Sequence, residues 1–162
     1  MLNRKIKIVN EDALDLNFKE EPEEIEEENE FRDLIACLKI TEDNIKILHH
    51  NLVGDNWFGD HEVLGEWYDK VGEIEDDVIE IIMSLGGKDM SISEVVEHCE
   101  SIEVREYSNN EAFEIVREHF EKLIKEFQDL KDIVPGDVYS KFEEYIYYFR
   151  KEVNYKIAQR LK

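Results

Sequence analysis

Two histidines, His49 and His61, stand twelve residues apart across a glycine-containing turn, and an acid pair, Asp76 and Glu80, follows at helical spacing. Imidazole and carboxylate together form a donor set for a divalent first-row metal such as Fe(II). His50 and Glu62 adjoin the two histidines and are candidates for extra ligands. Taken alone, a histidine on an apolar helix face is more often a satisfied core residue than a ligand, and acids in EIEDDVIE more often a solvated face. The argument for chemistry rests on the four positions together.

The elements that must carry these residues are read from apolar periodicity. Phe31, Leu34, Ile35, Leu38, Ile45, Leu48 and Leu52 recur at three- and four-residue steps and predict a first helix over about 29–52. His49 continues that stripe. Gly54, Asp55 and Asn56 turn the chain, with Trp57 and Phe58 expected to plug the turn. Leu64, Trp67, Val71, Ile74, Val78, Ile81, Ile82 and Leu85 predict a second helix, N-capped at Asp60 and stopped at Gly86–Gly87. A short helix is expected at 91–99 with Ser93 as its cap, and SIEVREYSNN as irregular chain. Two further amphipathic helices, over about 110–131 and 138–161, flank the tight turn VPGD at 134–137. The fold class is therefore all-α: a four-helix bundle with a short extra helix in the long second-to-third connection.

On the second helix His61, Gly65, Asp76 and Glu80 fall within about 100° of one another. Several turns separate His61 from Asp76, so one subunit cannot bring both to one ion. Two copies of that helix, antiparallel about a two-fold axis, can. The Glu-x-x-His pairs of an intrasubunit di-iron bundle are absent from the sequence.

His49, Gly54, Asn56, Trp57-Phe58, His61-Glu62, Tyr68, Asp76 and Glu80, closing on Leu85-Gly86-Gly87, resemble the signature of the Dps proteins, the mini-ferritins. The likeness spans 31–161 in element order, and its specific part covers about forty residues. It implies a ferritin-like bundle and an intersubunit ferroxidase centre. In that centre His49, Asp76 and Glu80 come from one subunit and His61 from its two-fold mate. Iron is the implied metal, with Zn(II), Mn(II) or Co(II) fitting the same donors. Peroxide or oxygen is the implied oxidant, and Fe(III) is stored in a hollow, dodecameric shell of identical chains. The chain departs from the family in three places. Gly65 stands where the family has an aspartate, which leaves one well-held metal position and one weak one. His50 replaces the family tryptophan. The lysine-rich tail of DNA-binding members is missing.

Composition narrows the partners. The 41 acids against 20 bases give a formal charge of −21, which repels nucleic acid and anionic membranes and favours cations. Cys37 and Cys99 match no metal or redox spacing and are expected to be reduced, in a cytoplasmic setting. No apolar run reaches membrane-spanning length. Residues 1–30 are expected to form a flexible acidic arm, with eight glutamates in 20–30, ahead of a bundle over 31–162. Two rivals to the ferroxidase remain. One is a structural or cargo protein with a weakened or lost centre that docks a protein partner through the arm. The other is a metal buffer or sensor.

Overall fold

The computed structural model describes residues 22–161, and the expectations for 1–21 lie outside them. Helix α1 runs Pro22–Asn51, α2 Trp57–Ser84, α3 Ile92–His98, α4 Asn109–Asp129 and α5 Gly136–Lys151. A π-helical stretch, Glu152–Ile157, continues α5 into a last turn, α6, at Ala158–Arg160. The four long helices form the bundle, and α3 sits in the long α2-to-α4 connection. α1 lies against α2, α4 and α3, and α4 against α5. Because the long connection recrosses the bundle, the chain leaving α1 and the chain entering α4 run the same way. Leu52 and Val53 therefore pair in parallel with Tyr107 and Ser108.

The core follows the apolar stripes. Leu34, Ile35, Leu38, Ile45 and Leu48 of α1 are fully buried, as are Leu64, Trp67, Val71 and Val78 of α2 and Phe120, Phe127 and Phe149 from the second hairpin. Trp67 meets Phe113 and Phe120 edge to face at 5.3 and 5.6 Å. Each such side chain contributes about 1.5–3 kcal/mol by leaving water.

Several local expectations need correction. α1 begins at Pro22, about seven residues before the expected start, so the acidic run from there on is helical and not extended. Proline suits the first helical position. Asn56, not Asp60, precedes α2 as its cap. Asp60 is buried in the first turn, where it accepts from Asn56 Nδ2 at 2.8 Å, Asn109 Nδ2 at 2.6 Å and Arg160 Nε at 3.1 Å. That carboxylate ties together the starts of α2 and α4 and the end of the chain. Ser91, not Ser93, caps α3, in a capping box with Glu94. Trp57 and Phe58 do not plug the turn but stand 44% and 78% exposed. The turn is shaped instead by Gly54, whose φ of +142° admits glycine and whose Cβ would lie 1.9 Å from Asn109 Oδ1. Among the described residues, no helix is long and apolar enough to cross a membrane.

The π stretch was not anticipated. It brings Glu152 into the core at 1% exposure, where its Oε2 accepts from Trp67 Nε1 at 2.9 Å and pairs with Lys156 at 3.0 Å. The buried charge is thus both paired and hydrogen-bonded, as burial requires.

Candidate metal centre

His49 lies in the last turn of α1 and His61 in the second turn of α2. The five residues between the helices fold one imidazole onto the other. The rings are stacked, with centroids 3.6 Å apart and planes 22° from parallel. The hydrogen bonds are reciprocal: His49 Nδ1 bonds the His61 carbonyl at 2.8 Å, and His61 Nδ1 bonds the His49 carbonyl at 2.9 Å. A carbonyl oxygen only accepts, so each Nδ1 carries the proton. In its neutral form, a ring so protonated keeps its lone pair on Nε2. A ring whose second nitrogen donates to a backbone carbonyl has the support that metal-binding histidines usually have.

Aromatic neighbours brace the pair. Trp57 stacks on His61 at 4.5 Å, Tyr68 meets His49 edge-on at 5.2 Å, and His50 meets it at 5.2 Å. Gly65 makes room, since a Cβ there would lie 3.4 Å from His49 Cε1. Burial pushes the His49 pKa down and outweighs its bond to the His61 carbonyl, which pulls it up. His49 is therefore neutral near pH 7, the form that binds metal.

The other candidates are not beside the pair. Asp76 and Glu80 are exposed and one turn apart on α2. His49 lies over Gly65, and eleven residues of helix from there to Asp76 span ~16 Å. The expected grouping of His49 with Asp76 and Glu80 in one subunit is therefore corrected: the histidines group together in one chain and the acids stand apart from both. His50 and Glu62 are exposed at the rim. Among the described residues, the one group of three or more acids, histidines or cysteines close enough within one subunit to share an ion is Glu30, Glu126 and Asp129, none of them an expected ligand.

His119 shows the opposite environment. Its Nε2 is held by Asn44 Nδ2 at 3.0 Å and its Nδ1 faces Thr41 Oγ1 at 3.4 Å. Burial lowers its pKa to about 4. Asn44 Oδ1 in turn accepts from the Ile102 backbone at 2.9 Å. Reading the sequence for apolar stripes missed this network. Its signal was there, in two polar residues, Thr41 and Asn44, set among the buried apolar positions of α1.

No family model matches the chain, and no curated protein sequence matches it. Solved structures do. The chain is similar to the antigen TpF1 of Treponema pallidum, with 20% identity, a TM-score of 0.79, and 88% of this chain and 95% of that one covered. It is similar to the DPS protein of Vibrio cholerae O1, described as belonging to a broad superfamily of ferritin-like diiron-carboxylate proteins. There the identity is 20%, the TM-score 0.76, and the coverage 87% of this chain and 92% of that one. It is similar to Dps from Listeria innocua soaked with cobalt, with 22% identity, a TM-score of 0.70, and 78% and 86% covered. At these identities the likeness is one of architecture: the chain has the ferritin-like helical bundle of the Dps proteins.

Proposed function

We propose that the chain is a Dps-like iron-oxidising and iron-storing protein whose centre is completed between two subunits. His49 and His61 of one subunit take Fe(II), the substrate, on their Nε2 atoms. Asp76 and Glu80 of the partner subunit supply the carboxylates, across an antiparallel α2–α2 contact about a two-fold axis. The donor set suits Fe(II) and also accepts Zn(II), Mn(II) or Co(II). Peroxide is the oxidant: each molecule takes one electron from each of two Fe(II) ions and, with two protons, leaves as two waters. The Fe(III) formed collects on acidic side chains inside a closed shell of identical chains.

The observation that carries this reading is the reciprocal pair of Nδ1-to-carbonyl bonds. It fixes both tautomers and leaves two parallel imidazoles with open Nε2 atoms on the outside of the bundle. A partner is needed because the acids on the same helix are too far along it to reach. The net charge of −21 draws cations to the surface and opposes DNA binding.

The test is Fe(III) formation after mixing purified protein with Fe(II) and peroxide, beside solution mass by light scattering. Faster oxidation than in buffer, lost in His61→Ala, from a shell-sized particle is the expected result. Oxidation no faster than buffer, unaltered by His61→Ala, would falsify it.

A further inference from the structure

We propose that Glu42 is a further metal ligand of this centre, carried across the dyad on a saddle formed by Gly72. The inference rests on the interface reading above and adds a residue to it.

Gly65 and Gly72 are seven residues apart on α2, on the same stripe as His61 and Asp76. Each is overlaid by a side chain from α1. A Cβ at Gly65 would lie 3.4 Å from His49 Cε1, and a Cβ at Gly72 would lie 3.0 Å from Glu42 Oε1. Glu42 and His49 are likewise seven residues apart. The α1–α2 hairpin thus lays two potential ligands over two gaps in α2, an imidazole at one and a carboxylate at the other.

An antiparallel dyad fixes what those gaps face. With His61 set against Asp76 of the partner subunit, four residues inward from each brings Gly65 against Gly72 of the partner subunit. The saddle that holds His49 then meets the saddle that holds Glu42 of the partner subunit. Glu42 of the partner subunit is directed at the side of His49 where Gly65 offers no carboxylate of its own.

Glu42 sits among charged neighbours. Its carboxylate pairs with Lys46 and adjoins Glu75, all three lining a cavity of about 240 Å³ between α1 and α2. Glu75 is half-buried; its Oε1 pairs with Lys39 at 3.1 Å, while its Oε2 is buried with no donor in reach. Lys46 occupies the position of a cation beside Glu42, and an incoming metal takes that place by displacing a flexible ammonium.

Co(II) is the probe, because its visible absorption reports coordination number as well as binding. Wild type, Glu42→Gln, Asp43→Asn and His61→Ala are titrated as full-length protein, with solution mass measured for each. Glu42→Gln is expected to weaken Co(II) about tenfold and to intensify its visible bands as one ligand is lost, at unchanged mass. Asp43→Asn, next door but over no glycine, is expected to match wild type. If Glu42→Gln does not assemble, Glu42→Asp keeps the charge, withdraws the carboxylate by one methylene and is expected to give the same spectral change. Wild-type affinity and bands in Glu42→Gln, or in Glu42→Asp in its stead, overturn the role of Glu42. Wild-type behaviour in His61→Ala overturns the interface centre itself, so the two failures are distinct.

Discussion

His49 and His119 are both close to α1, and the difference between them locates the chemistry. His119 sits inside the bundle with both ring nitrogens engaged by Asn44 and Thr41. It holds no lone pair for a metal and serves the core. His49 sits at the end of α1 with one nitrogen engaged and the other open. The interior of this four-helix bundle, where a centre within one subunit would lie, is filled by Trp67, Phe120 and Phe149. The open nitrogens lie outside, where in the proposed reading a second copy completes their coordination.

The largest expected effect tests that contrast directly. His49→Ala or His61→Ala should weaken Co(II) or Zn(II) binding by about 10- to 100-fold or more, since losing a ligand costs no less than losing its outer support. His119→Gln should leave the affinity within error. Calorimetric titration of the three variants decides it. A matching loss in His119→Gln would place the site inside the bundle.

The second effect reverses the roles. His119 has a folded pKa of about 4 against an ordinary 6.5. Above pH 6.5 neither state binds the proton, and the contribution of the neutral ring to stability is complete. As pH falls from 6.5 towards 4, the unfolded chain takes a proton that the folded chain refuses, and stability is lost. The loss approaches about 3 kcal/mol by pH 4. Urea unfolding across that window should show the decline, and His119→Gln should remove that part of it while metal binding at neutral pH persists. A decline of the same size in the variant would assign the acid limb to other groups.

A smaller effect separates the two tryptophans. Trp67→Phe leaves Glu152 Oε2 with Lys156 alone in a buried site, which costs ~1–3 kcal/mol. Trp57→Phe, at an exposed position, should change stability by less than ~0.5 kcal/mol. It should instead alter the environment of His61, read as a shift of its ring resonances by NMR. Equal destabilisation by both substitutions would mean that the outer stack is part of the fold.

The sequence made the same division of labour partly visible. The stripes of α1, α2, α4 and α5 could be read because burial follows a 3.6-residue period whatever the tertiary detail. The π stretch could not, because Phe149, Val153 and Ile157 keep a four-residue step through it. The sign was Glu152, an acid that the stripe would place beside a core. At the centre, His49 and His61 stood out as candidates by type and spacing. Their stacking did not, because it depends on how the five residues between α1 and α2 fold, and periodicity carries no information there. Gly65 was legible as a missing carboxylate. Its second role, as the space into which His49 leans, needed the neighbouring helix.

Gly65 gives the finest test. A Cβ there would make a close but tolerable contact with His49 Cε1 at 3.4 Å, and the residue lies inside a regular helix. Alanine therefore gains about 0.5–1 kcal/mol of helix preference, partly offset as the ring gives way by a few tenths of an ångström. Aspartate lacks most of that gain but adds a carboxylate beside an imidazole, so its net effect on stability should be within ~0.5 kcal/mol. The informative quantity is the number of metal ions held. With glycine, the two imidazoles and the partner's acids are expected to hold one ion tightly. Gly65→Asp should add a second tight Co(II) or Zn(II) per site, and Gly65→Ala should not, since it fills the same space without a donor. Two tight ions already present in the wild-type protein would show that another carboxylate has taken over the position. The partner's Glu42, proposed above as a ligand, is the carboxylate to examine first, and combining Gly65→Asp with Glu42→Gln separates a carboxylate gained on α2 from one supplied across the dyad.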